Sequence, residues 1–239
     1  MKCYRRLQPI TALSFDLDDT LYSNRPIMQN AEKQMIAYFS EHFPQTAEQG
    51  EQACRQYWRQ FRSKAIAEQP NLVHDVSALR LYTYTLAIKA LGYSQQQSEQ
   101  QATAAFAHFI HHRSDFTFPS SSKILLEKLA TKYPLVAITN GNVNFKKLGL
   151  DKLFQQIYHP TIHIKSKPDS AMFTLACQYL AIKPQQLLHV GDCGKSDVLG
   201  ALQANCQVAW LNKYDVGKKI TVLPSVELTS LTQLSQLLM

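Results

Sequence analysis

Three short apolar runs punctuate the chain, and each breaks off into polar residues. Residues 10–15 lead into Asp16, Leu135–Ile138 into Thr139-Asn140-Gly141, and residues 187–190 into Gly191-Asp192. Runs of four to six apolar residues with turn signals behind them read as buried strands. Residues 208–211 and Val226–Leu228 are further strand candidates. Helical periodicity fills the intervals. Residues 123–132 carry Ile124, Leu125, Leu126 and Leu129 behind Ser120-Ser121-Ser122, where a serine N-cap is expected. Residues 170–180 open after Pro168-Asp169 and set Met172, Phe173, Ala176 and Leu180 on one face. Alternating strands and helices predict an α/β fold with a doubly wound parallel sheet.

Residues 22–115 break the alternation. They hold no convincing strand and read as about four helices, with Ala102, Ala105, Phe106, Phe109 and Ile110 at i, i+3, i+4 spacing. A stretch of that length is too long for a loop. It is expected to be an inserted all-helical subdomain, leaving residues 1–21 and 116–239 as the core.

Asp16 and Asp18 stand two apart at the carboxyl end of the first run, where open α/β sheets form ligand sites. Such a pair suits nucleophilic or metal-binding work by one carboxylate and proton transfer by the other. Taken alone, it also fits a solvated acidic turn. Three more fragments follow in order: Thr139-Asn140, Lys167-Pro168, and Asp192 with Asp197. His189 sits inside an apolar run and reads as a core histidine.

Composition narrows the picture. The chain has 239 residues and 45% hydrophobic content, enough for one large domain or a core plus an insert. No apolar run approaches the ~18 residues of a membrane span, and no signal-peptide h-region follows Met1, so no membrane association is expected. Five scattered cysteines match no zinc spacing, which suits reduced thiols and a cytoplasmic location. Of the +7 net charge, +6 lies outside residues 22–115, which suits an anionic substrate. No Lys/Arg stripe alternates with aromatics, so nucleic acid is not the expected partner. Arg55, Arg59 and Arg62 read as a solvated helix face.

The ordered set of four fragments resembles the haloacid dehalogenase superfamily, spanning residues 10 to about 211. The resemblance implies a Rossmann-like core, a mobile helical cap at residues 22–115, and Mg²⁺ as cofactor. It implies Asp16 as nucleophile and Asp18 as acid and then base, with Mg²⁺ on Asp16, Asp18 and Asp192. It gives Thr139, Asn140 and Lys167 to the phosphoryl group, with Asp197 in support. Asp18 favours an oxygen leaving group, since dehalogenases of this group lack the second aspartate. A phosphomutase, another sugar-phosphate phosphatase or a catalytically silent binding protein remain alternatives.

Residues 12–26, 134–142 and 188–192, with His74-Asp75-Val76 in the insert, resemble the YigB-type phosphatases. That branch implies flavin mononucleotide or 5-amino-6-(5-phosphoribitylamino)uracil, a small phosphorylated metabolite, as substrate. The protein is expected to be a monomer or homodimer. Asn24, Arg25, His74, Asp75 and Arg113 are the insert residues expected nearest the leaving group, with Tyr22, Tyr82 and Tyr84 as stacking surfaces.

Overall fold

The computed structural model describes residues 1–213 and 222–238. Seven strands form one sheet: β1 (Lys2–Cys3), β2 (Ala12–Phe15), β3 (Leu135–Ile138), β4 (Gln156–Tyr158), β5 (Leu187–Gly191), β6 (Gln207–Leu211) and β7 (Val226–Leu228). Their order is β1-β7-β6-β5-β2-β3-β4. Every pairing is parallel except that of β1 with β7. The chain winds outward from β2 through β3 to β4, then returns beside β2 and winds the other way through β5, β6 and β7. That reversal opens a crevice at the carboxyl end of β2.

Side-chain alternation assigns the two faces. Leu13 and Phe15 of β2 join Leu135, Leu188 and Val190 under α5 (Ser120–Ala130). Ala12 joins Val136, Ile138 and Val208 under α6 (Ala171–Tyr179) and α7 (Gly200–Gln203). The helix expected at 123–132 therefore begins earlier. Pro119, not a serine, occupies its N-cap, and Ser122 Oγ instead donates to the Leu21 carbonyl at 2.7 Å. A short helix, α8 (Gln233–Leu238), closes the described chain.

Sequence reading missed β1 and β4. Both are short edge strands, and the burial of β4 is too slight to give an apolar run.

Between β2 and α5 lie four helices: α1 (Asn24–His42), α2 (Glu51–Glu68), α3 (Val76–Ala90) and α4 (Gln95–Arg113). Phe39, Trp58, Tyr84, Ile88 and Phe109 form a hydrophobic cluster of their own. Phe39 and Trp58 stack with centroids 3.7 Å apart. Local signals fix the helix starts. Asp75 Oδ1 accepts from the N–H groups of Ser77 and Ala78, capping α3. Ser94 and Gln97 form a capping box at the start of α4. Among the described residues, no helix is long and apolar enough to cross a membrane.

Candidate active site

Asp16 follows directly on β2, and its N–H donates to Val190 O at 2.9 Å, continuing the ladder by one residue. That bond aims the carboxylate out of the crevice end of the sheet. Asp16 is buried, and Lys167 Nζ donates to its Oδ1 at 2.8 Å. Lys167 also donates to Asp197 Oδ1 at 2.6 Å and to Ile138 O at 2.6 Å. One ammonium thus ties the ends of β2 and β3 to the turn after β5.

Asp197 is held from several sides. His189 Nε2 lies 3.1 Å from its Oδ1, and the Cys193 N–H donates to its Oδ2 at 2.9 Å. Burial works against ionisation here, but Lys167 and His189 hold the Asp197 carboxyl below its ordinary range. Asp197 lies in a π-helical turn, Gly194–Leu199, that starts at Cys193. The Cys193 sulfur accepts from Ser196 N–H at 3.4 Å, so this thiol caps the turn. Gly191 has no freedom here: a Cβ would overlap Asp197. His189 is a satisfied core histidine, with Ser14 Oγ 2.9 Å from its Nδ1.

The amide of Asn140 has a different task from phosphate contact. Its Nδ2 donates to Lys167 O at 3.0 Å, and its Oδ1 accepts from Lys167 N–H at 2.9 Å. Both polar atoms are spent on the backbone that carries the lysine. Thr139 offers less than expected as well. Its N–H donates to Tyr158 O in β4, and its hydroxyl oxygen accepts from Gly141 N–H at 3.0 Å. Only the hydroxyl hydrogen remains as a donor.

Thr20 joins the two metal-binding candidates. Its hydroxyl lies 3.0 Å from Asp192 Oδ1 and 3.3 Å from Asp16 Oδ2. Carboxylate oxygens of Asp16, Asp192 and Asp197 lie within 4.8 Å of one another. Burial pushes the Asp192 carboxyl up to about 7, with Asp197 adding to the rise. Burial likewise raises Asp16 well above its ordinary value; Lys167 opposes this, and the neighbouring carboxylates reinforce it. Lys167 stays charged, because Asp16 and Asp197 outweigh its own burial. Three buried carboxylates against one ammonium leave excess negative charge among hard oxygen donors. That donor set fits a divalent cation such as Mg²⁺.

Asp18 is anchored through one oxygen. Tyr22 Oη donates to Oδ1 at 2.6 Å, and Arg113 Nη2 donates to the same atom. Gly141 approaches the other oxygen: a Cβ there would come within 2.5 Å of Asp18 Oδ2. Asp19 takes a positive φ of 58° and accepts from Asn24 N–H at 2.8 Å, which starts α1.

A cleft of about 420 Å³ gathers these groups under the insert, with Asn24, Arg80, Phe109 and Arg113 on its upper wall. Of the insert residues expected nearby, Asn24 and Arg113 are there. Asn24 Oδ1 and Arg113 Nη1 are buried without protein partners.

The other insert residues expected nearby do not line this cleft. Arg25 is exposed on the first turn of α1 and does not line the cleft. Asp75 caps α3 through Oδ1 and borders a neighbouring space with Asn140 and Gly141. His74 contacts the core through Ser166, with Nδ1 3.2 Å from the Ser166 hydroxyl, outside the cleft. Tyr82 donates to Glu68 at 2.7 Å, away from the site. Tyr84 is packed in the helical cluster, and Tyr22 is buried against Phe116 and Phe118. Neither presents a free ring to the cleft. Sequence reading missed Arg80, which lies over the Phe109 ring at 3.7 Å, and Asn142, which donates to Ser77 Oγ at 3.0 Å. Arg80 lies in no recognisable motif, and Asn142 ends the 134–142 stretch without a role of its own there.

Comparison with known proteins finds relatives over the whole chain. Residues 10–205 match the family model of haloacid dehalogenase-like hydrolases. The chain is 34% identical over 243 residues, covering 100% of both chains, to the 5-amino-6-(5-phospho-D-ribitylamino)uracil phosphatase YigB of Escherichia coli K12. A structure described as 2-haloacid dehalogenase from Pseudomonas syringae pv. tomato DC3000 superposes with a TM-score of 0.87. It is 30% identical, covering 96% of this chain and 98% of that one. The magnesium-bound HAD-hydrolase YfnB of Bacillus subtilis shares the fold, with a TM-score of 0.65 at 18% identity, covering 97% and 99%.

Proposed function

Because the chain belongs to the haloacid dehalogenase-like hydrolases, we propose that it is a phosphatase acting on a small phosphomonoester through an aspartyl-phosphate. The observation that carries this reading is the pairing of two unlike carboxylates at the end of β2. Asp16 is buried against Lys167, while Asp18 is fixed through Oδ1 and faces Gly141 with Oδ2.

Asp16 attacks phosphorus in line, and the ester P–O bond breaks. Asp18 gives its proton to the departing oxygen. Asp18, now a carboxylate, takes a proton from a water molecule as the water oxygen attacks phosphorus. The bond between Asp16 and phosphorus breaks, releasing inorganic phosphate. Lys167 and the Thr139 hydroxyl offset the charge on the phosphoryl oxygens. Asn140 acts by holding the Lys167 backbone.

Asp16, the Asp18 carbonyl and Asp192 are the groups suited to hold Mg²⁺, which when bound supplies charge neutralisation at the phosphoryl oxygens. Residues 22–115 act as a cap over the leaving group.

The substrate favoured by the YigB likeness is 5-amino-6-(5-phospho-D-ribitylamino)uracil, with flavin mononucleotide as a related candidate. A dehalogenase reading has the Pseudomonas structure in its favour. Asp18 counts against it: a departing halide needs no proton, yet Tyr22 and Arg113 are both devoted to this carboxylate. Steady-state assays with p-nitrophenyl phosphate, both ring-bearing phosphates and 2-chloropropionate, each with Mg²⁺, test the choice. Turnover of the phosphates alone is expected; release of chloride without phosphatase activity would overturn it.

A further inference from the structure

A second pocket of about 310 Å³ lies among α1, α2 and α3. Val76 and Arg80 line both this pocket and the catalytic cleft, so the two adjoin. α1 continues from one to the other, with Met28 in the cleft and Glu32, Met35 and Phe39 in the pocket. Met28 to Phe39 spans three helical turns, roughly 16 Å at 1.5 Å per residue.

The lining combines an aromatic floor with an unusual amount of positive charge. Phe39, Trp58 and Tyr84 form the floor. Arg55, Arg59 and Arg62 of α2 converge on it with Arg80 of α3. Arg55 is paired with Glu32 at 3.0 Å. Among the described residues, Arg59, Arg62 and Arg80 have no carboxylate partner. Arg59 and Arg62 are exposed, as a solvated helix face would have them, and with Arg55 they also border this pocket. Trp58 is only 4% exposed, yet its Nε1–H has no acceptor. A buried donor left unsatisfied is destabilising, and an acceptor atom in the pocket would satisfy it.

We propose that this pocket is the far subsite for an elongated phosphomonoester. It receives a planar, acceptor-rich ring at Trp58 and the arginines while the phosphoryl group lies at Asp16. This rests on the phosphatase reading and adds where the leaving group is read. Guanidinium groups donate to ring carbonyls and stack on aromatic planes, and Trp58 supplies one further N–H. A short substrate reaches only the cleft and is indifferent to the pocket.

The test compares wild type with Trp58→Phe and with the double variant Arg59→Gln/Arg62→Gln. Phenylalanine retains an aromatic ring and removes only the indole N–H and part of the ring. The two arginines are exposed, so their replacement preserves the fold if Trp58→Phe does not. Each protein is assayed with flavin mononucleotide, 5-amino-6-(5-phosphoribitylamino)uracil and p-nitrophenyl phosphate, and riboflavin is tested as an inhibitor of p-nitrophenyl phosphate turnover. For the better ring-bearing substrate, kcat/KM is expected to fall about tenfold or more, mainly through KM. That is one strong interaction by the usual ratio of 1.4 kcal/mol per decade. Turnover of p-nitrophenyl phosphate stays within twofold of wild type, and inhibition by riboflavin weakens in parallel. Variants that treat the ring-bearing substrates as wild type does, or a wild type that hydrolyses p-nitrophenyl phosphate alone, would overturn the subsite. A wild type that hydrolyses none of the three overturns the phosphatase reading on which it stands.

Discussion

Arg113, the last residue of α4, is paired with Asp18, the second carboxylate of the β2 loop, across the boundary between insert and sheet. Arg113 is 2% exposed and the Asp18 side chain 23%. Asp18 holds the arginine charged against the cost of its burial. A residue expected from sequence near the leaving group is thus paired with the proposed acid, and we propose that it sets that acid's position.

Arg113→Ala is accordingly expected to lower kcat on p-nitrophenyl phosphate and on flavin mononucleotide alike, by about tenfold to a hundredfold. Breaking a buried pair also destabilises, by roughly 3 kcal/mol, so the melting temperature should drop. Kinetics on both substrates beside a thermal melt separate these effects. A loss confined to flavin mononucleotide would return Arg113 to substrate recognition.

Tyr22→Phe removes a single donor to Asp18 Oδ1 and keeps the ring packed on Phe116 and Phe118. kcat should fall about tenfold, the scale of one lost charge-assisted hydrogen bond, with little change in KM. A KM effect without a kcat effect would place Tyr22 in binding instead.

Asn140→Ala frees both backbone groups of Lys167. Two lost hydrogen bonds correspond to about 2 kcal/mol of stability, measurable by urea denaturation. Activity should fall with it, because Lys167 no longer has a fixed backbone beneath its ammonium. An unchanged denaturation midpoint would mean that the amide pairing contributes nothing.

The carboxyl of Asp192 is raised from 3.8 to about 7 in the folded chain. Across that window this carboxyl keeps its proton in the folded metal-free protein and has lost it in the unfolded chain, so its own contribution to stability falls as pH rises. A divalent cation offsets the same charge. Mg²⁺ should therefore raise the melting temperature more at pH 8 than at pH 5.5, and chelator should abolish the difference. Equal shifts at both pH values would contradict metal binding at Asp192.

The sequence disclosed those parts of the site that strand ends control. Asp16, Thr139 and Asp192 project from β2, β3 and β5 because a buried run must end where its polar residues begin. Lys167 was legible only through its order among the motifs. What stayed hidden depends on how loops close. Asn140 bonds to residue 167, and Thr20 bridges to residue 192. Neither has a periodic or compositional trace. Helix ends in the insert were equally ambiguous: Arg25 and Arg113 both stand at termini of long helices, and only tertiary packing buries one and exposes the other. The α2 arginines have the spacing of a solvated face, and a pocket formed by neighbouring helices gives them a different setting.

The covalent role of Asp16 is tested most directly by intact-mass and peptide analysis after rapid acid quench during turnover of p-nitrophenyl phosphate with Mg²⁺. Asp18→Asn serves beside the wild type, since it slows the water attack that removes the intermediate. The expected result is a single phosphoryl adduct on the peptide that carries Asp16, richer in Asp18→Asn, with no turnover by Asp16→Asn. An adduct on another residue, or sustained turnover by Asp16→Asn, would contradict it.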